Sequence, residues 1–381
     1  VNNDACYPAI IVIGQLLQAL QSGRYDLDHT AVIMSQTGGG CRATNYIALL
    51  RKALKDAGFP DIPVLSANHY GAEKNPGFKI SIGLIKRAID ACIYGDLLMR
   101  VLHRVRPYEA IPGSADMLFR RWMDRCKQQI LSGDKDEFEA NLRGIVEEFD
   151  RLEITNQTKP KVGIVGEILV KYHPAANNNI IRVLEDEGAE VIIPDLLDFF
   201  IYCAYDYIYN YQHLSGKKRF YLAGRLLIYY FEKKRRYMNR LLEQSQRFTP
   251  PASIYHKKDL ASSVMALGHH CGEGWFLTAE MIDLITSGVP NIVCMQPFGC
   301  LPNHVTGKGM MKELKRQYPQ ANITAVDYDP GASEVNQLNR LKLMLTVAFK
   351  NIHVTSNSNP VPAEAGTGMH IPASAWSSQD N

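Results

Sequence analysis

Thr30-Ala31-Val32-Ile33-Met34 runs directly into Ser35-Gln36-Thr37-Gly38-Gly39-Gly40 and then Cys41. The short, apolar, β-branched run reads as a buried strand, and the glycines as the loop that ends it. Residues 46–57 carry apolar side chains at helical spacing and stop at Gly58, a helix terminator. Residues 62–65 read as the next strand. This strand–loop–helix–strand order is the rhythm of a parallel sheet, and it sets the fold class as α/β.

The same reading extends outward from this stretch. Residues 9–20 form an apolar run that reads as a buried helix. Residues 80–150 are helical in pattern, with Pro107 and Pro112 marking a break. Residues 154–161 are polar and contain Pro160, which places a linker there. Strands are expected at 162–165, 190–193, 291–295 and 323–326, and helices at 178–187 and 333–349. Residues 199–248 are Tyr-rich, basic and helical in pattern, and residues 296–308 read as a loop. The expected architecture is two doubly wound α/β domains with helical insertions. The first covers 1–155, the second covers 156–350 with the Tyr-rich basic insertion, and 351–381 is a flexible tail rich in Ser, Pro, Asn and Ala.

Bulk properties agree with this reading. A chain of 381 residues suits two domains, and 46% hydrophobic with 21% charged residues supports a full core. The net charge of +3 argues against a dedicated nucleic-acid binder. The longest apolar stretches are broken by polar residues such as Gln15 and Asp198, so no membrane span is expected. No signal peptide is recognisable, which leads to a cytoplasmic expectation. Val1 opens inside what reads as a structured motif, so the chain is read as part of a longer protein.

Eight cysteines in such a chain suggest reduced thiols rather than a disulfide framework. Cys41, Cys271 and Cys300 sit in glycine-rich loops, two of them directly after strands, and Cys6 is a fourth candidate. Strand ends in α/β folds converge, and glycine lets backbone N–H groups approach metal-bound sulfur. On that ground Gly39, Gly40 and Gly299 are read as the close-approach positions. Spacing alone equally allows unrelated buried thiols, because no C-x-x-C pair occurs. Cys92, Cys126, Cys203 and Cys294 read as core residues, Cys294 being the nearest of them to a loop cysteine. His270, Glu273, Gln296 and His304 flank the loop cysteines and are candidates to move protons or orient a substrate. His269, His270, Cys271 and His304 would also suit zinc, but no compact zinc-ribbon or H-E-x-x-H pair is present. Neither the triple glycine nor Val162-Gly163-Ile164-Val165-Gly166 completes a nucleotide-binding fingerprint.

Five stretches carry a longer pattern: Asn3-Asp4-Ala5-Cys6-Tyr7-Pro8-Ala9, Gln36-Thr37-Gly38-Gly39-Gly40-Cys41-Arg42-Ala43-Thr44-Asn45-Tyr46, Cys271-Gly272-Glu273-Gly274-Trp275-Phe276-Leu277-Thr278, Gln296-Pro297-Phe298-Gly299-Cys300-Leu301-Pro302-Asn303-His304 and Asp327-Tyr328-Asp329-Pro330-Gly331-Ala332-Ser333. Together they resemble the large activase-related proteins of the 2-hydroxyacyl-CoA dehydratase family, which also holds benzoyl-CoA reductase and the double-cubane cluster proteins.

The resemblance implies Rossmann-like domains around an iron–sulfur cluster, either a single four-iron cubane or a double cubane. It implies that Cys6, Cys41, Cys271 and Cys300 are the cluster ligands. It further implies an activase ATPase, fused or separate, that injects a low-potential electron. The substrate would be an acyl-CoA or another small molecule, and a homodimer is one assembly open to such a chain. The family's nucleotide motifs are absent here, so this chain is not expected to hydrolyse ATP alone. Two other readings of the same residues are a non-catalytic electron-transfer module and a zinc-bearing interaction domain.

Overall fold

The computed structural model describes residues 5–67 and 81–357; Asn3, Asp4 and the end of the expected tail lie outside them. In chain order the elements begin with α1 (Tyr7–Gln21), β1 (Val32–Ser35), α2 (Tyr46–Asp56) and β2 (Val64–Ala67). Three helices follow: α3 (Ile82–Val105), α4 (Ser114–Ser132) and α5 (Lys135–Arg151). Next come β3 (Lys161–Gly166), α6 (Ile168–Tyr172), α7 (Ile180–Asp186) and β4 (Glu190–Ile192). The helices α8 (Leu196–His213), α9 (Lys218–Gln244), α10 (Ile254–Ser262) and α11 (Gly274–Thr286) lead to β5 (Asn291–Pro297). The chain closes with α12 (Leu301–Thr306), α13 (Met311–Gln317), β6 (Asn322–Tyr328) and α14 (Glu334–Asn357).

The protein is α/β, with two parallel sheets among the described residues. β1 pairs with β2, Val32 opposite Val64, and α1 and α2 cover one face through Val32, Met34, Ile47 and Leu50. The larger sheet has the order β4-β3-β5-β6. Helices bury both of its faces. Val162, Ile164, Val293 and Val326 pack on α7 and α14, while Val165, Ile292, Cys294 and Ile323 pack on α11 and α13. That double burial is why β5 is apolar nearly without alternation. The chain leaves β3 for β4 on one side and returns to β5 on the other, so the strand order reverses between β3 and β5. The carboxyl end of that gap is where α/β sheets place ligands.

The helical insertions, one from each half of the sequence, share one core. Leu97, Val101, Trp122 and Phe149 from α3–α5 pack with Ile201, Tyr202 and Ile228 from α8 and α9, and with Trp275 and Phe276 from α11. Local signals explain the helix ends. Ser81 caps α3 by accepting from Leu84 N at 3.1 Å, and Asp134 caps α5 by accepting from Asp136 N at 2.9 Å. Gly224 lets α9 press on α8: a Cβ there would lie 2.6 Å from the Ala204 carbonyl oxygen. No helix among the described residues is long and apolar enough to cross a membrane.

The structure extends some expected elements. Leu301–Thr306, read as part of a loop, forms the short helix α12 with Cys300 at its N-cap. Helix α14 runs past Phe349 to Asn357, into residues read as tail. Proline at the start of α12 suits a first turn, where the missing N–H costs nothing.

Candidate functional site

The loops that follow β1 and β5 meet the start of α1 and the turn before α11. Phe298 O accepts from Tyr7 N at 2.9 Å, which ties the loop after β5 to Cys6. Gly299, at φ +70°, is required there, since a Cβ would lie 3.2 Å from the Cys6 Cα. Gly39, at φ +73°, leaves the space that Cys271 fills: a Cβ on it would lie 2.6 Å from Cys271 Sγ. The Gly40 N–H donates to the same sulfur at 3.3 Å. Gly272 approaches Pro302 closely and brings Cys41 Sγ within 3.8 Å of its own missing Cβ. Four distant segments therefore interlock through glycine.

Between them lies a cavity of about 510 Å³ at the carboxyl ends of β1, β3 and β5. Cys6, Cys41, Cys300, Glu167 and Glu273 line one side. Phe199, Phe200, Tyr207, Leu227 and Phe231 from α8 and α9 line the other, together with Cys203. One wall thus offers sulfur and carboxyl groups, and the opposite wall is apolar.

Burial dominates the electrostatics. It pushes the Cys41 thiol up to about 11 and raises Cys6 and Cys300 as well, so all three are neutral thiols at pH 7. Glu167 is pushed up to about 8, first by burial and then by the neighbouring Glu273 carboxyl. Glu273, only 6% exposed, is raised by burial too. Its Oε1 accepts from Ile168 N at 2.9 Å and its Oε2 from Asn303 Nδ2 at 3.3 Å. The fully buried Asn303 also donates to Cys300 Sγ at 3.3 Å, while its Oδ1 has no partner among the described residues. Tyr46 OH and Cys6 Sγ are hydrogen-bonded at 3.0 Å.

These residues fit a cluster held by thiolates. The sulfurs come from separate segments, N–H donors face two of them, and glycine removes the side chains that would obstruct. Binding there would require the thiols to release their protons. Among the described residues no three His, Cys, Asp or Glu side chains converge tightly enough to hold a single metal ion. A multi-iron cluster spaces its ligands more widely than one ion does.

The structure brings Cys6, Cys41 and Cys300 to the cavity, while Cys271 packs against Gly39 and is not part of the cavity lining. Gly40 and Gly299 stand against these cysteines. Of the four flanking candidates, only Glu273 lines the cavity. His270 is half-buried, with Nδ1 3.0 Å from the Gly268 carbonyl oxygen and its ring against Tyr209. Gln296 points into the sheet's packing and donates to Cys294 Sγ at 3.0 Å. His304 is exposed on α12. Strand alternation explains the Gln296 result, because Gln296 and Cys294, two residues apart, share a face of β5. Cys203, read as core, reaches the cavity wall.

Sequence reasoning missed Glu167 and Asn303. The signal for Glu167 was its place directly after the strand ending Ile164-Val165-Gly166. Asn303 lies within the loop already quoted, one helical turn beyond Cys300. Comparison with protein-family models, with curated proteins and with solved structures finds no match for this chain.

Proposed function

We propose that this chain is the iron–sulfur component of an ATP-activated, low-potential reductase or dehydratase of the 2-hydroxyacyl-CoA dehydratase type, a cytoplasmic protein of two Rossmann-like units. Cys6, Cys41, Cys271 and Cys300 are the proposed ligands, and an activase ATPase is the proposed electron donor. The observation that carries the reading is the convergence of four separate cysteine loops beside one cavity at the strand-order reversal.

A cluster bound there would supply single electrons at low potential. The chain's own residues do the rest. Glu167 keeps its carboxyl proton at neutral pH and can hold it at Oε1, because Oε2 accepts from Val170 N at 3.0 Å. Asn303 orients Cys300 and Glu273 together. The aromatic wall from α8 and α9 excludes water from the far side of the cavity. That apolar wall favours a catalytic role over a purely electron-relaying one, since a relay needs no space beside its cluster.

The test is iron and sulfide analysis of anaerobically purified protein. Brown protein with broad absorbance near ~400 nm is expected, with about four irons per chain for a single cubane or about eight for a double one. Cys41→Ala and Cys300→Ala should lose iron while Cys92→Ala keeps it. A colourless anaerobic protein, or full iron retention in both loop variants, overturns the assignment.

A further inference from the structure

Helix α9 shows two faces. Its inner face packs on α8 and sends Leu227 and Phe231 to the cavity. Its outer face presents a row at alternating three- and four-residue spacing: Arg219, Leu222, Leu226, Tyr229, Lys233, Arg236 and Arg240, all exposed. That spacing is the seam of a helix that packs against another helix. Leu222, Leu226 and Tyr229 are 55%, 68% and 57% exposed, so the apolar part of the seam is uncovered. Lys233 and Arg236 have no carboxylate partner among the described residues, and Arg240 lies only against the Tyr237 ring. The first turn adds Lys217, Lys218 and Arg219 with no capping side chain, where the helix dipole disfavours cations.

We infer that the outer face of α9 is a docking surface for an amphipathic helix of another protein, apolar opposite 222–229 and acidic opposite 233–240. Charge argues for this occupant over the alternatives. A second copy of α9 packed in parallel sets like charges opposite one another; packed antiparallel about Leu226, it sets Lys233 opposite Arg219, again like charges. A helix lying on a membrane keeps its apolar stripe along its whole length with cations on the flanks. Here the apolar part spans only Leu222 to Tyr229, and the same line is basic at Arg219 and again from Lys233 to Arg240, which matches an acidic protein helix instead. A partner seated there lies one helix thickness from the cavity wall. Docking is therefore positioned to deliver to that cavity or to report on it, whatever the cavity holds.

The test uses the full chain and two synthetic amphipathic helical peptides. Both carry leucines at the seam; one has glutamates and the other lysines opposite Lys233, Arg236 and Arg240. Fluorescence anisotropy should give tighter binding of the glutamate peptide by about tenfold or more, weakening with salt. Hydrogen exchange should place the protection on α9. Leu226→Asp, at an exposed position, should abolish binding with an unchanged melting temperature. The triple variant Lys233→Glu, Arg236→Glu and Arg240→Glu should reverse the preference. Equal affinity for both peptides, or protection mapping elsewhere, overturns the inference. So does sedimentation with phosphatidylserine vesicles in place of peptide binding, or self-association that Leu226→Asp removes.

Discussion

Replacing Gly39 by alanine isolates the contact on which the site depends. Gly39 sits at φ +73°, where an L side chain costs about 1–2 kcal/mol. Its new Cβ would lie 2.6 Å from Cys271 Sγ. Non-bonded heavy atoms rest at roughly 3.5–4.0 Å, so the sulfur must retreat by about 1 Å. That movement breaks the 3.3 Å bond from the Gly40 N–H, worth about 0.5–1.5 kcal/mol. The expected loss of stability is therefore about 2–3 kcal/mol. Gly23→Ala is the control: it has φ +68°, nearly the same backbone strain, and nothing within 4 Å of the added Cβ. Both variants should be destabilised through the backbone, but only Gly39→Ala should disturb the thiol. The assays are maleimide labelling of Cys271 in metal-free protein, read by mass spectrometry, and iron content after anaerobic purification. Faster labelling and lower iron are expected in Gly39→Ala alone. Wild-type labelling and iron in Gly39→Ala, or equal losses in both variants, would refute the argument that Gly39 makes room for the sulfur.

Further outcomes follow from the buried groups. The Glu167 carboxyl is pushed up from 4.5 to about 8, so between those pH values the folded chain holds a proton that the unfolded chain has released. Stability should therefore fall as pH rises through that window, by up to about 1.4 kcal/mol per pH unit. Glu167→Gln removes this slope, so its stability relative to wild type should be greater at pH 8 than at pH 5; parallel denaturation curves at both pH values would contradict it. Lys171 Nζ lies 2.8 Å and 3.0 Å from the two Glu280 oxygens, and both side chains are buried. Lys171→Met should cost about 3–5 kcal/mol by chemical denaturation, and adding Glu280→Leu should recover most of it. Gly224→Ala would set a Cβ 2.6 Å from the Ala204 carbonyl oxygen. It gains about 1 kcal/mol in helix propensity, yet it should be a net loss, because overpacking costs about 1–3 kcal/mol and displaces α9. A melting temperature above wild type would count against that close approach.

The α/β class and all six strands were legible because buried parallel strands are continuous apolar runs between glycine-rich turns. The strand order was not, since it depends on which crossover passes which edge, and local pattern carries no record of that. The two helical insertions read as separate pieces because periodicity reveals an apolar face without naming its partner; Trp122 and Ile228 meet only in the folded chain. At the site, Gly39 and Gly299 hold a positive φ and close approaches, as expected, whereas Gly40 has open space at its missing Cβ and meets Cys271 only through its N–H. Gln296 and His304 looked like site residues from sequence proximity to Cys300. Strand alternation turned the first into the sheet, and the turn of α12 left the second in solvent. Glu167 escaped notice because an isolated glutamate is ordinary until burial changes its proton affinity.

The thiol site is also a statement about the order of assembly. Cys6 and Cys300 are drawn together by the bond from Tyr7 N to Phe298 O, yet nearly the whole described chain lies between them. Such a pairing has a high loop-closure cost and cannot form until β5 has been synthesised and has joined its sheet. The pocket therefore closes late, after most of the described chain that separates Cys6 from Cys300 has been made. Neutral thiols suit that wait, because a protonated sulfur is a poor nucleophile and oxidises slowly.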